Sequence, residues 1–541
     1  MNICSEASSR KSTSELSPED EGFLHQFILQ RTGILIQHHQ QSKLRSKLQE
    51  LCLTLGYSSS CDLLKSLYSS DNKSPELESL IASITIGESY FFRDGQQFDW
   101  LQYEYFPDII HRRRRSGNLS LRVWSAGSSA GQEIYSIAIL LRELLPDIDD
   151  WDLHLFGTDI NAPALTSAQR GQYREWSLRG MSDRLRAKYF CPVNELFELR
   201  HDVRQQVKFH YLNLAEDVFP SILSKTNALD LILCRNVFIY LAPETSQEIV
   251  CKFANCLKPD GQLLLGAVDT VRWKDTGLNQ IRSGDVLFYR KNKQALSTDS
   301  RIQLIDFQLD SCYQPDVDGE GDRESHIESD GQNQDSVSAL PQDTQNCVPQ
   351  KNNLRLAEKT FSTAPARIED NLIIANNITI LNLYQKGRWQ ELVSAVDTFQ
   401  AGKDQNASLL GYKARALANL GQLEQSERVC RESIGLNPND KHIYLVQGLV
   451  RMEKGQLEKA EASFRKALYL DRYYPESHYR LGLLLITNGQ SKKGIKSLEQ
   501  ALLLAERGDQ RKCLEYTQGI TYQHFARMLR QELSIFGNTG I

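Results

Sequence analysis

The period of apolar positions along the chain changes three times. Residues 16–95 follow helical spacing. SPEDEGFLHQFILQRTGI sets Phe23, Phe27 and Ile28 at helical intervals behind Ser17, an N-cap residue, and Pro18 in the first turn. SKLRSKLQELCLTLGY carries a stripe of Leu44, Leu48, Leu51 and Leu55, and Gly56 suits its end. Between residues 119 and 293 short apolar runs take over: LRVWSA, LHLFGTD, VKFHYLN, LDLILCR, QLLLGAV and VLFYRK, most of them separated by helical patterns. That alternation predicts an α/β fold, a mainly parallel, doubly wound sheet with helices on both faces. LDLILCR is apolar almost throughout, as a central strand buried on both sides requires. From Asp299 to Asp343 the pattern vanishes, with twelve Asp/Glu against two Arg. Such a stretch buries too little apolar surface to offset its ordering entropy and reads as a flexible acidic linker. The alternative is a segment that folds on a partner.

Beyond it the chain repeats. Gly387, Gly421, Gly455 and Gly489 lie 34 residues apart, as do Ala414, Gly448 and Gly482, and Ser433, Ala467 and Ala501. Small residues at fixed places let two helices pack closely, and the second glycine series, with Gly448 and Gly482, is expected to mark the turn between them. This period resembles the tetratricopeptide repeat (TPR), clearest in GLVRMEKGQLEKAEASFRKALYLD. The array implies an all-α solenoid with a concave protein-binding surface, and ITYQHFARMLRQELSIF would cap its open end. The expected organisation is a helical domain over 16–95, the α/β domain over 96–293, an acidic linker over 294–368 and a repeat domain over 369–541.

The 541 residues carry a formal net charge of -5, which argues against a dedicated nucleic-acid binder. There is no apolar run near 18 residues, so no transmembrane helix is expected, and the polar first twenty residues lack the apolar core of a signal peptide. Eleven cysteines without a C-x-x-C pair fit reduced thiols in a cytoplasmic protein, with no metal site. Lys43, Arg45 and Lys47 form either a solvated surface or a docking face for an acidic helix.

The chemistry concentrates where LRVWSA runs through Gly127-Ser128-Ser129-Ala130-Gly131 into an apolar helix. Ser125 stands where the dinucleotide fingerprint needs its first glycine, so that fingerprint fails. Asp159 ends the next strand, where a carboxylate can accept two hydrogen bonds from a ribose diol. Glu133 adds a second acid, and the pair favours a cationic ligand such as S-adenosylmethionine over NAD. The structural alternatives are a first-turn acid complementing the helix dipole for Glu133 and a helix N-cap for Asp159.

Four segments then resemble the chemotaxis receptor methyltransferase family (CheR): ITIGESYFFRD, RVWSAGSSAGQEIYSIAILL, FGTDINAPALTSAQRGQY and LDLILCRNVFIYL. The resemblance implies a helical domain fused to an S-adenosylmethionine-dependent methyltransferase fold that methylates glutamates on cytoplasmic chemoreceptor helices. It implies that Arg93 reaches the cofactor and substrate region, and that Gly87 and Ser89 stand where relatives use asparagine and threonine against cofactor. Gly127 belongs to the cofactor turn, Glu133 matches the acid after it, and Asp159 matches the ribose acid. Asn213 and Leu214 match residues beside the adenine. Arg235, Asn236 and Tyr240 match the motif at the active site, with Arg93 and Tyr240 as the groups that hold the substrate carboxylate. Two departures are visible: Gln132 replaces the first acid of a G-E-E run, and Gly266-Ala267-Val268-Asp269 replaces a G-H-S-E-like run. Both bear on substrate detail. The resemblance also implies an inserted antiparallel subdomain over 171–206, with ELFELRHDVRQQVKF as one hairpin. HRRRRS (His111–Ser116) would face an acidic receptor or simply end a solvated helix. The leading expectation is a protein-glutamate O-methyltransferase whose repeats recruit a further protein partner. The rivals are a non-catalytic S-adenosylmethionine-binding scaffold and a small-molecule methyltransferase.

Overall fold

The first helix, α1 (Pro18–Thr32), starts where Ser17 Oγ accepts the Asp20 N–H at 3.1 Å and stops at Gly33, which takes a left-handed φ of 70°. Its buried face is Leu24, Phe27 and Ile28, while Phe23 is 61% exposed. Phe23 therefore lies off the apolar face expected of it, and Leu24, next along the chain, takes the inward position. With α2 (Gln41–Leu55), α3 (Ser60–Ser69) and α4 (Pro75–Ile84) the helix encloses a small core that includes Leu44, Leu48, Leu63 and Leu80.

This computed structural model describes residues 16–69, 74–85, 87–269, 271–273, 276–292, 379–400, 406–510, 512–514 and 520–537. The acidic stretch expected to be a linker lies outside the described residues.

After α5 (Gly95–Trp100) a π-helical turn leads into α6 (Phe106–Ser116). Three arginines of HRRRRS are engaged within the chain. Arg112 pairs with Asp108 at 2.8 Å, Arg114 with Asp147 at 2.6 Å, and Arg113 with buried Asp230, which Lys258 also reaches at 2.9 Å. Arg113 thus clamps α6 against β7 of the sheet.

The seven-stranded sheet has the order β6-β2-β1-β7-β8-β10-β9. β1 (Ser120–Ala126) sits between β2 (Asp152–Asp159) and β7 (Leu229–Cys234), parallel to both. β6 (Val207–Tyr211) and β8 (Leu257–Leu265) continue the parallel set. β9 (Leu278–Ser283) and β10 (Val286–Lys291) close one edge as an antiparallel hairpin. All six residues of β7 are buried, as its apolar run requires. α7 (Gln132–Leu144) and α8 (Ala162–Arg170) follow β1 and β2.

A separate three-stranded sheet of β3 (Gln172–Tyr173), β5 (Leu196–Leu199) and β4 (Phe190–Val193) fills the inserted region, with α9 (Asp183–Tyr189) leading into it. Its hairpin is β4–β5, so the expected hairpin over ELFELRHDVRQQVKF is displaced. His201–Gln206 forms the short helix α10 instead. Only Val203 is apolar in that hexapeptide, so it offers no alternating face for a strand. α11 (Pro243–Cys256) completes the α/β domain.

The repeats form antiparallel helix pairs: Ala407–Asn419 with Leu423–Leu436, Lys441–Glu453 with Leu457–Leu470, and Pro475–Thr487 with Ser491–Arg507. Gly387, Gly421, Gly455 and Gly489 all have φ between 66° and 75°, so the first glycine series marks the turns rather than the second, whose Gly448 and Gly482 lie inside helices. The other series sits where helices touch: a Cβ at Gly448 would lie 2.4 Å from the Phe464 ring. The helix Tyr522–Gly537 packs Phe525, Ala526 and Leu529 onto Leu498, Ala501 and Ala505 of the last pair. No helix among the described residues is long and apolar enough to cross a membrane.

Candidate functional site

The strand order reverses at β1, with β2 on one side and β7 on the other. A crevice opens outside the carboxyl ends of strands at such a switch point. There a cavity of about 370 Å³ lies between the sheet edge and the helical domain, within the range of small-molecule sites, roughly 300–1,000 Å³. Gly127 ends β1 with φ 76°, and a Cβ there would stand 2.4 Å from Val237 Cγ2. A side chain would close the cavity at that point. The turn is fixed from below, because the Gly127 and Ser128 N–H groups both donate to Thr158 O at 2.8 Å.

Asp159, at the tip of β2, accepts the Ser129 N–H on Oδ2 at 2.7 Å and the Asn161 N–H on Oδ1 at 2.8 Å. Each oxygen keeps further acceptor capacity toward the cavity. Burial pushes its carboxyl up from the usual range, against the pull of those backbone donors. The N-cap of α8 is Asn161, whose Oδ1 accepts the Ala164 N–H. Asp159 is therefore not the cap, which leaves its carboxylate for the turn and the cavity.

Glu133 sits in the first turn of α7 and lines the same cavity. Its Oε1 accepts from Ser125 Oγ at 2.8 Å, and its Oε2 lies 3.2 Å from Arg235 Nη1. Burial raises its carboxyl, and Arg235 pulls the other way. The expectation of two acids offering bare negative charge needs correction here, since the charge of Glu133 is matched by a guanidinium that is itself only 3% exposed. Arg235 also donates to Arg93 O at 2.5 Å and lies over the Phe98 ring. It braces the end of β7 against the segment that carries Arg93.

Asn236 follows with φ 58°, and its N–H donates to Asp269 Oδ2 at 2.5 Å. Asp269 also accepts from the Gly266 and Ile239 N–H groups, at 3.0 and 3.3 Å. Burial raises its carboxyl too. One acid thus ties the end of β8 to the turn that presents Asn236 and Tyr240. Tyr240 is half-buried and lines the cavity, and its hydroxyl has no hydrogen-bond partner among the described residues.

The opposite wall comes from the helical domain and the segment after α4. Lys43 and Lys47 of α2 and His39 line it, with Ser89 and Arg93 beside them. Arg93 Nη1 donates to Glu88 O at 2.9 Å, and its remaining nitrogens have no partner among the described residues. Gly87 is not part of the lining; its carbonyl accepts from Oγ of the lining residue Ser129 at 3.4 Å. Asn213 and Leu214 close the end of the cavity nearest β6. Asn213 is held by its own Nδ2 donating to Arg31 O at 2.6 Å and its N–H donating to Asp217 Oδ2 at 2.7 Å. Ten of the eleven expected site residues therefore line one cavity, with Gly87 the exception.

Sequence reasoning missed the Glu133–Arg235 pair, the brace from Asp269 and the lining by Phe98 and Ile160. Asp269 had a signal, because it ends the Gly266–Asp269 run that departs from the family pattern. Phe98 had none, since its spacing reads as core.

The site suits the ligand inferred for it. The crevice carries an acceptor carboxylate, Asp159, at the tip of β2 and a glycine where a Cβ would intrude. Comparison with known proteins agrees. The family described as CheR methyltransferase, SAM binding domain, matches residues 87–287. Tetratricopeptide repeats match residues 407–440, 448–489 and 475–507. The chemotaxis protein methyltransferase of Escherichia coli is 33% identical over 261 residues, 47% of this chain and 86% of that protein. That of Borreliella burgdorferi is 30% identical over 251 residues, 46% of this chain and 87% of that protein. That of Vibrio parahaemolyticus is 28% identical over 284 residues, 51% of this chain and 98% of that protein.

Proposed function

The chain belongs to the chemotaxis methyltransferase (CheR) family and binds S-adenosylmethionine, and on that premise we propose that it forms glutamyl methyl esters on chemoreceptor-like signalling proteins. The observation that carries the reading is one cavity with two unlike walls. Asp159, Gly127 and Asn236 stand at the sheet edge, and Arg93, Lys43 and Lys47 stand opposite. Bound S-adenosylmethionine supplies an electrophilic methyl group on its sulfonium. The residues here have to hold a carboxylate beside it and keep water away.

A glutamate side chain, with a pKa of about 4.3, is already ionised at neutral pH and needs no general base. The free nitrogens of Arg93 suit a carboxylate. The open hydroxyl of Tyr240 orients it by a hydrogen bond. Ile34, Ile36, Ile84 and Leu241 line the same cavity and exclude water from it. Orientation then supplies most of the acceleration. Lys43 and Lys47 at the mouth favour an acidic helix as the substrate's carrier.

Labelled methyl from S-adenosylmethionine should appear as a base-labile ester on receptor glutamates, and no such label with any receptor of the same cell rejects the reading. A scaffold that binds cofactor without turnover is the second reading, and single-turnover assay distinguishes it. The unpartnered Arg93 and Tyr240 groups disfavour it, because a structural role would satisfy them. A protein partner for the repeats belongs to the same proposal.

A further inference from the structure

Seventeen residues from Leu212 to Ala228 join β6 to β7. They begin at the cavity, with Asn213 and Leu214 in its wall, and end one residue before the strand that delivers Arg235 and Asn236. The middle of this connection is held by the repeat array. Pro220 O accepts from Trp389 Nε1 at 2.7 Å, and Val218 packs at Gly387, where a Cβ would lie 2.4 Å from its Cγ1. The Ile222 N–H donates to Asn419 Oδ1 at 2.9 Å. Leu223 O accepts from Arg480 Nη2 at 2.9 Å. Lys225 O accepts from Arg122, whose other nitrogen pairs with Glu453 at 2.8 Å. Ile222 is buried in one cluster with Leu410, Leu449 and Leu484.

Asn419, Glu453 and Arg480 lie on the first helices of three successive pairs. One face of the array therefore holds a segment of its own chain. An irregular connection of this length satisfies its backbone groups through partners outside itself. Within 213–228 the internal bonds are local, with Asp217 closing on Asn213 and Thr226 on Ser221; at the cavity end Lys252 Nζ also reaches Leu214 O, Ala215 O and Asp217 O at 3.2–3.4 Å. The array supplies the anchors in the middle.

We propose that the repeat array is a positioning element for the cofactor site, with Trp389, Asn419 and Arg480 fixing the Val218–Lys225 segment and thereby the Asn213–Leu214 wall. This rests on the reading of Asn213 and Leu214 as the adenine end of the cavity. A protein that binds this face of the array competes with the segment, so its binding lowers cofactor affinity.

The test uses the full chain. Asn419→Leu with Arg480→Met removes two anchors while retaining apolar volume. Trp389→Phe keeps an aromatic ring and removes the donor together with some buried volume. S-adenosylhomocysteine binding is measured by calorimetry, and backbone hydrogen exchange is followed across 213–228. The double variant should exchange faster at Ile222 and at Asn213–Leu214, and affinity should fall about five- to tenfold, as expected when the loss of one neutral and one guanidinium-donated hydrogen bond is felt only in part at the cavity. KM for S-adenosylmethionine should rise while kcat at saturation stays near that of the unaltered chain. Trp389→Phe should shift both readouts the same way by less, and it serves alone if the double variant does not fold. Faster exchange at Ile222 with unchanged affinity overturns the proposal, and so does unchanged exchange. Failure of the unaltered chain to bind S-adenosylhomocysteine rejects the cofactor site itself, a separate outcome.

Discussion

Arg235 Nη1 stands 3.2 Å from Glu133 Oε2, and the two residues come from different strands' ends, one after β1 and one after β7. The pair spans the switch point and holds the crevice at one width. Removing a single partner leaves the other charge buried, which costs about 3–5 kcal/mol. Arg235→Met should therefore lower the melting temperature more than Glu133→Gln, which keeps a hydrogen bond to Ser125. Glu133→Ala should leave a folded chain with cofactor affinity reduced by roughly tenfold. Calorimetry reads this, and unchanged affinity removes Glu133 from the cofactor site.

Asp159 makes cofactor binding depend on pH. Burial places its folded-state carboxyl above the usual range. In the proposed ribose role the ionised form is the acceptor, so affinity should be full above that raised value and fall as pH drops through it. The loss should begin at a higher pH than an exposed aspartate would give. Asp159→Asn should weaken binding by about tenfold to a hundredfold, the worth of a charged acceptor, and flatten the profile in that window. A pH series of dissociation constants checks both. An unaltered slope in the asparagine variant assigns the titration to another group.

At Gly127 the constraint is steric. Alanine would need a left-handed backbone, at about 1 kcal/mol, and its Cβ would meet Val237 Cγ2 at 2.4 Å. Gly127→Ala should lower cofactor affinity at least as much as stability. The double variant with Val237→Ala should recover part of it, because the collision is removed and the strain is kept. If the double variant is no better than the single one, the Val237 contact is not the cause.

Much of this was legible before any coordinates. Strand tips are readable because a buried strand must be apolar and its last residue need not be, so Asp159 and Arg235 stand out after LHLFGT and LDLILC. The repeat is readable from its 34-residue spacing, but spacing alone does not separate the glycines that turn the chain from those that let helices touch. What stayed hidden is what depends on partners far apart in sequence. The Glu133–Arg235 pair joins positions 102 apart, and Asn419 meets Ile222 across 197. No periodicity records such a pairing. Phe23 misled because its spacing fits a helix face that the neighbouring Leu24 occupies instead. The hairpin over ELFELRHDVRQQVKF misled because Leu196–Leu199 does form a strand, and the apolar run ends before the polar hexapeptide from His201.

The cations on α2 divide in function. Arg45 pairs with Glu21, whereas Lys43 and Lys47 line the cavity mouth. Burial and the neighbouring Lys43 both hold the Lys47 ammonium below its ordinary value. Lys43→Glu with Lys47→Glu should raise KM for a receptor substrate by about tenfold or more and weaken the salt dependence of association. Cofactor affinity should move little. Equal losses in receptor and cofactor binding would instead place these lysines at the cofactor.

The isolated bridge between Ile34 and Leu241 bears on modularity. Leu35 N–H donates to Tyr240 O at 2.9 Å, and Ala242 N–H donates to Gly33 O at 3.0 Å. The turn that presents Tyr240 is thus stitched to the end of α1 by main chain alone, whatever the side chains are. A foreign helical bundle grafted in front of the sheet must reproduce that two-rung ladder, or leave backbone groups unpaired at about 1–3 kcal/mol each where they stay buried. Shuffling such enzymes at the bundle boundary is therefore limited by the register of a few residues after the first helix rather than by the match of the bundles' surfaces.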